Sequence, residues 1–426
     1  MELTVLLVAL FVLLFIGVPV AFALAMSSLL VFLMLDIPLI VAFQRMAAGM
    51  NVFALMAIPF FVFAGDLMHR AGIADRLIRV ADAALGRIRG GLGQVNVGAS
   101  MLIGAVSGSA IASVSALGST LGPMMKEKGY DTDYAVNVSA TAAITGLLIP
   151  PSHNMIIYAA AAGVSISLAD LFLAGVFPGI LTGLMLMIAA WLVAVKRGYP
   201  RGRFPGWRPF LLAIVAAIPG LIAALIIVLG VLSGVFTPTE SSGIAVVYTI
   251  LVATLVYRSL SWEGFVAATT AAVRTTAMVM IIIGAAAAFG WLLALLEAPS
   301  QLAELLRGIT ENPLLLLLLI NLVLLILGTF MDMAPLIIIT TPIFLPMATE
   351  LGMDPVHFGI MLLLNLGIGL VTPPVGSVLF VACAVGRIPI ERTVRTIWPF
   401  YLALLAALCA VIYLPTISLW LPGVLS

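Results

Sequence analysis

Charge is what this sequence has least of. Lysine, arginine, aspartate and glutamate make up 9% of its 426 residues, against 63% hydrophobic ones, where a soluble domain carries roughly 25% charged residues. A chain of this size cannot cover a water-facing surface with so few charges, so no soluble domain fits anywhere along it. The formal net charge of +1 points to no partner, and no nucleic acid is expected. There are two cysteines, Cys383 and Cys409, each inside an apolar stretch. They are better read as small core residues than as a disulfide or metal pair. The three histidines, His69, His153 and His357, are too scattered to propose a metal site. No Walker-type phosphate loop is present, so this chain does not hydrolyse ATP. Nor is there an intramembrane constellation of paired aspartates or a His–Glu cluster, so an enzyme is not expected. The N-terminal apolar stretch lacks a basic n-region and an A-x-A site, and reads as a permanent helix rather than a signal peptide. A membrane barrel would need alternating strands of about ten residues. The runs 314–320 and 221–229 do not alternate, so the chain is all-α.

What is present is apolar sequence, with a mean hydropathy of +1.27. Crossing a bilayer as a helix takes about 20 such residues. Stretches of about that length or longer fall near 4–35, 38–65, 168–195, 209–236, 241–257, 268–296 and 396–421. Shorter stretches, broken by Gly, Pro and Ser, lie near 93–125, 133–165, 313–349 and 355–386. The chain is a multi-pass membrane protein with the lipid bilayer as its surroundings.

An internal register organises it. Sliding the chain along itself until Pro123 falls on Pro346 also places Met124 on Met347, Glu127 on Glu350, Gly129 on Gly352 and Asp131 on Asp354. The same shift brings Gly146 onto Gly369, Pro150-Pro151 onto Pro373-Pro374, and Gly163 onto Gly386, with no gap. Apolar sequences align readily on Leu and Ala, but not on paired prolines and Gly-x-Asp turns. Two halves follow, 1–195 and 209–426, joined by the linker 196–208. The linker carries five positive charges and no negative one, which places it in the cytoplasm, as do Arg387, Arg392 and Arg395 for a later loop. If 93–125 enters and leaves on one side, the basic segment 69–89 is cytoplasmic too. Stretch 313–349 then enters from the opposite face, and the halves are inverted repeats, each with a re-entrant helical hairpin and a Pro-Pro broken helix.

Broken backbone at membrane depth must line a protein cavity, because lipid cannot satisfy it. The Pro-Pro pairs strand carbonyls about one turn earlier, at Gly146 and Gly369 and their neighbours. Such oxygens suit a desolvated alkali cation, with Ser152 and Thr372 adding hydroxyls; a simple kink is the alternative. Each hairpin also has a polar or small-residue turn. The first contains Gly104, Ser107, Gly108, Ser109 and Ala110, and either unwinds to meet a ligand or serves helix packing. The second contains Gly328, Thr329 and Asp332. An acid at a membrane break is functional by default, although Asp332 could instead cap the helix that begins near Pro335. Thr237-Pro238-Thr239-Glu240 reads as a capping box, and 70–89 as an amphipathic segment along the interface.

At these motifs the sequence resembles the large membrane subunit of the tripartite ATP-independent periplasmic (TRAP) transporters. The residues that carry the likeness are Ser107-Gly-Ser-Ala-Ile-Ala-Ser113, Ile149-Pro-Pro-Ser152, Phe236-Thr-Pro-Thr-Glu240, Gly328-Thr-Phe-Met-Asp332 and 365–376, in order along essentially the whole chain. The resemblance implies an elevator-type fold, in which a transport domain slides on a scaffold built from long helices near 4–35 and 209–257. It implies sodium-coupled uptake of organic acids, such as C4-dicarboxylates or sialic acid, across the bacterial inner membrane. It implies two partners, a separate small four-helix membrane subunit and a periplasmic substrate-binding protein. Carried over residue by residue, one sodium site would use Ser107 with the backbone near Gly146 and Ile149, and the other Gly328, Gly369 and Thr372. Ser109, Ala110, Asn154 and Asp332 are the substrate candidates. The alternative is an ion-coupled carboxylate transporter of the same broad architecture that needs no binding protein.

Overall fold

The computed structural model describes residues 1–425 apart from 203, 309 and 311; for 54, 105–107, 299, 303 and 305–307 only the backbone is described. Among the described residues, regular structure is helical apart from one isolated bridge between Arg89 and Arg201. The first half runs α1 (Glu2–Phe15), α2 (Val20–Met34), α3 (Leu39–Met50), α4 (Ala57–Arg70), α5 (Ile73–Leu85), α6 (Gly91–Ser107), α7 (Ala110–Glu127), α8 (Thr132–Ala142), α9 (Thr145–Leu148), α10 (His153–Ala161) and α11 (Leu168–Lys196). The second half runs α12 (Trp207–Leu232), α13 (Pro238–Leu251), α14 (Trp262–Leu295), α15 (Ala298–Arg307), α16 (Pro313–Gly328), α17 (Met333–Glu350), α18 (Pro355–Gly369), α19 (Ser377–Gly386), α20 (Ile390–Thr396), α21 (Trp398–Tyr413) and α22 (Thr416–Leu425).

Among the described residues, five helices are long and apolar enough to cross a bilayer: α11, α12, α13 with its continuation to Val256, α14 and α17. Two bent pairs add to them, α8–α9 with α10 at 54° and α20 with α21 at 61°. The protein is therefore a polytopic, all-helical membrane protein. The expected long helix over 4–35 is not continuous. It breaks at Gly17-Val18-Pro19, where Gly17 takes φ +87° and Pro19 precedes the first turn of α2; α1 and α2 pack side by side. Stretch 38–65 also breaks, at Asn51-Val52, and 209–257 is two helices, α12 and α13, as the separate stretches 209–236 and 241–257 predict. Apolar content is continuous across Gly17-Val18-Pro19, but a left-handed glycine and a proline without an N–H end helices whatever surrounds them.

The start of α13 is the expected capping box. Thr237 Oγ1 accepts from Glu240 N at 3.2 Å, and the Glu240 carboxylate accepts from Thr237 N at 2.8 Å. Helix α5 is amphipathic as expected, with Ile73, Leu77, Ile78 and Ala81 buried on one face, which packs on α6 and α12. The linker is anchored rather than loose. Arg197 pairs with Asp131 and Asp133 at 2.9 Å each, Tyr199 Oη donates to Asp131 at 2.7 Å, and Gly90 N donates to Pro200 O.

Helices α6 and α7 form one hairpin, closed by Gly108 (φ +60°) and Ser109; α16 and α17 form the other. The register that sets Pro123 on Pro346 relates α7 to α17 end for end, both 18 residues long. It also relates α5 to α15, α6 to α16 and α8 to the start of α18. The two Pro-Pro segments cross the core side by side. A Cβ on Gly386 would meet Val136, one on Gly367 would meet Ile144, and one on Gly359 would meet Tyr158. Residue numbers rise along one segment as they fall along the other, so the two run antiparallel.

Each hairpin touches its broken helix backbone to backbone. A Cβ on Gly104 would lie 2.0 Å from Gly146 Cα, and one on Gly369 would lie 2.6 Å from Gly328 Cα. Gly243, in the interior of α13, has nothing within 4 Å of its Cβ position. Gly369→Ala is therefore expected to destabilise the purified protein by about 1–3 kcal/mol through overpacking, whereas Gly243→Ala leaves stability unchanged or raises it by up to about 1 kcal/mol. Paired thermal melts in one detergent check the contrast.

Candidate functional site

A cavity of about 370 Å³ opens where both hairpin turns meet the broken helices. Ser109 and Ala110 reach it from the first turn, Asp332 from the second, and Asn154 from the start of α10. Leu147 and Leu370, just before the two Pro-Pro pairs, also line it. All four substrate candidates therefore share one space, although Ser109 and Asp332 belong to opposite halves of the sequence. The opposite wall comes from elsewhere, with Asp66 and His69 of α4 and Thr275 of α14.

Local structure explains why these groups point inward. Ser109 is the N-cap of α7 and accepts from Ala112 N at 3.3 Å. Asp332 is the N-cap of α17, its carboxylate accepting from Met333 N at 2.9 Å. The capping alternative for Asp332 is thus what the structure shows. It does not displace the acid from the cavity: Asp332 remains exposed there. An N-terminus presents unpaired N–H groups and the positive end of the helix dipole. Here two such ends, of α7 and α17, border one cavity.

The carbonyls around the breaks are partly satisfied. Gly369 O accepts from Thr372 N at 2.9 Å, and Leu370 O accepts from Val378 N at 3.1 Å. Val371 O accepts from Tyr401 Oη at 2.6 Å. A break does not leave its carbonyls stranded outright, because neighbouring turns re-bond them; Leu370 O also accepts from Leu379 N at 3.3 Å and is saturated, while Gly369 O and Val371 O keep a second lone pair for another partner. Thr372 Oγ1 donates to Ile368 O at 2.7 Å, which leaves its oxygen lone pairs to accept. Thr329 O accepts from Gly376 N at 3.1 Å, which ties the second hairpin turn to the loop after Pro374. Gly146 packs on Gly104, and Gly369 on Gly328, as described above. Ile149 N donates to Thr145 O at 3.2 Å, and its backbone is extended at the break. The side chain of Ser107 lies outside the described residues.

Sequence reading missed the far wall. His153, one of the three histidines scattered in sequence, also lines the cavity, beside Asn154, and its Nδ1 lies 3.3 Å from the Cβ position of Gly108. Asp66 and His69 are spaced i, i+3, which puts both on one face of α4; that spacing was the available signal. Asp66 also accepts from Arg70 Nε at 2.7 Å. Arg274 sits among the threonines of α14, one residue before Thr275.

The fold and this cavity define a membrane permease, with helices that break where two hairpin turns converge. The sequence profile described as "Tripartite ATP-independent periplasmic transporter, DctM component" matches residues 7–417. The chain is similar to the C4-dicarboxylate TRAP transporter large permease protein DctM of Pseudomonas aeruginosa, 41% identical over 85% of each chain. It is also similar to the sialic acid TRAP transporter large permease protein SiaM of Vibrio cholerae, 39% identical over 85% of this chain and 84% of that one. Among solved structures, the Alcanivorax borkumensis YdaH transporter shares the fold, with a TM-score of 0.60 at 15% identity, covering 89% of this chain and 88% of that one. This protein belongs to the DctM family, the large permease component of TRAP transporters; its relatives are permeases, not enzymes.

The capping geometry makes a separable prediction for Asp332. Asp332→Ala removes the cap and is expected to cost about 0.5–2 kcal/mol, whereas Asp332→Asn keeps an equivalent acceptor and costs only a few tenths. Melting temperatures of the two variants in detergent read the difference.

Proposed function

We propose that this chain takes up small organic acids across the bacterial inner membrane, coupled to sodium, by an elevator motion. The cavity carries the reading. It lies on a seam, with hairpin turns and broken helices on one side and α4 and α14 on the other. A site walled half by one group of helices and half by another can be carried past that second group. The moving body would comprise α6–α11 and α16–α22. The scaffold would comprise α1–α4 and α12–α14, made of short broken helices as well as long ones, with the amphipathic α5 and α15 leading into the hairpins.

Two observations support an inverted repeat. Equivalent helices start and stop in one register, and the equivalent Pro-Pro segments run antiparallel. The hairpins would then open to opposite faces, as alternating access requires. Sodium is cotransported in this reading. The donor set near the breaks is neutral oxygen, from Gly146, Ile149, Gly328, Gly369 and Thr372, which suits a hard monovalent cation. The substrate would sit at Ser109, Ala110, Asn154 and Asp332, its carboxylate met by the helix ends of α7 and α17. The names of the relatives support an acid of the C4-dicarboxylate or sialic acid class. The family's tripartite description supports two partners, a small four-helix membrane subunit and a periplasmic substrate-binding protein.

Uptake by the reconstituted complex in liposomes is expected to need a sodium gradient and no ATP. Undiminished uptake with potassium in place of sodium sinks the proposal. Thr372→Val is expected to raise the sodium concentration for half-maximal uptake about tenfold, the effect of losing one ligand worth roughly 1.4 kcal/mol, with little change in melting temperature. An unchanged sodium dependence means that Thr372 only packs.

A cysteine pair that locks a hairpin turn to α4, introduced after Cys383 and Cys409 are replaced, is expected to stop transport until it is reduced. Full transport in the crosslinked protein excludes sliding and leaves local gating.

A further inference from the structure

Away from the first cavity, the two halves differ in how they fill the space beside α7 and α17. In the second half, α17 and α18 are filled by Leu345, Phe358 and Leu362, all buried. The register between the halves puts Gly122, Ala135 and Ser139 at those positions. Where the larger side chains would be is a cavity of about 580 Å³ between α7, α8 and α19.

Its charged lining is of one sign. Lys126 of α7 and Arg387 at the end of α19 face it, and no carboxylate among the described residues lines it. Both cations are exposed, and neither is in an ion pair among the described residues. Thr132 and Ser139 add hydroxyls, while that of Ser119 donates to Ser115 O at 2.7 Å within its own helix. Ser139 already accepts from Asn96 Nδ2 at 2.7 Å, so its own O–H is left to donate.

Thr132 is also the first residue of α8. The N-cap of that helix, Asp131, makes no side-chain cap bond, because its carboxylate is engaged by Arg197 and Tyr199. The counterpart Asp354 does cap α18, accepting from Val356 N at 2.8 Å and His357 N at 3.3 Å. One half is thus filled and capped; the other is hollow, uncapped and basic. The hollow lies at the end of the molecule where Asp131 holds Arg197 of the linker and where Asn137 donates to Thr396, beside Arg392 and Arg395. By its basic character this is the cytoplasmic end.

We propose that this cavity binds a phosphate group, bridging α7 of the first half to α19 of the second. Two cations on separate helices, with hydroxyl donors between them, suit an anion with several oxygens better than a single carboxylate. Anionic lipid headgroups concentrate at the cytoplasmic surface, and free phosphate presents the same chemistry. The site is distinct from the transport cavity and does not depend on how that cavity works.

The test uses the purified full chain and thermal melts. One arm compares nanodiscs of phosphatidylcholine with and without phosphatidylglycerol; the other titrates inorganic phosphate against chloride at constant ionic strength in pure phosphatidylcholine. Saturable stabilisation is expected in at least one arm, and the responding arm identifies the source. K126Q/R387Q is expected to weaken the response at least about tenfold, the effect of lost charge-assisted hydrogen bonds, while K126R/R387K retains it. Gly122→Leu copies Leu345 of the other half and leaves both charges in place. A Cβ there meets nothing within 4 Å, so this variant folds and fills the cavity even if the charge variant does not, and it too is expected to lose the response. No stabilisation of the native protein in either arm, or an undiminished response in Gly122→Leu, overturns the proposal.

Discussion

The arrangement of the cavity rests on backbone touching backbone. Gly104 meets Gly146 in one half, and Gly328 meets Gly369 in the other, at distances that leave no room for a Cβ. These contacts hold each hairpin turn against the broken helix of its own half. The two broken helices then cross along Gly359, Gly367 and Gly386, so the turns of both hairpins come to one place. A methyl group at any of these crossings would push apart elements that the cavity needs together.

Broken helices inside a membrane carry a polar cost, and the structure shows how it is met. Pro150-Pro151 and Pro373-Pro374 remove four N–H donors. In the second half Gly369, Leu370 and Val371 recover partners from Thr372, Val378 and Tyr401. The freed groups are thus neither abandoned nor fully saturated. The Gly369 and Val371 carbonyls, each with one lone pair still available, next to a hydroxyl held in place by Ile368, make a neutral oxygen-rich setting. The capping residues do similar double work. Ser109 and Asp332 end their helices properly, and by doing so present polar atoms and helix N-termini to the cavity.

The linker and the ion-pair group at its start set where one half ends. Arg197 bridges Asp131 and Asp133, and Tyr199 packs among Tyr130 and Tyr134. The end of α11 is thereby bound to the base of the first hairpin, and the chain is released toward α12 only after Arg201. The five positive charges of the linker are therefore not all free surface charge. At least one is committed to buried structure, since Asp133 is only 4% exposed.

Much of this was legible from the residues alone. Low charge determined a membrane protein, because no water-facing surface could be built from these residues. The prolines and Gly-x-Asp turns determined the register between the halves, because backbone-breaking residues cannot be exchanged as Leu and Ala can. Thr237 to Glu240 determined its own capping box, since every partner lies within one turn. Hydropathy could not tell that 4–35 is two helices, because a break at Gly17 and Pro19 changes direction without changing apolarity. Nor could it find Asp66, His69 and Thr275 opposite Asp332, or the hollow beside Lys126 and Arg387. Those depend on which helices pack together across the fold, and on what their side chains leave unfilled. Local sequence states what each residue can do; only the tertiary structure decides which distant residues share a wall.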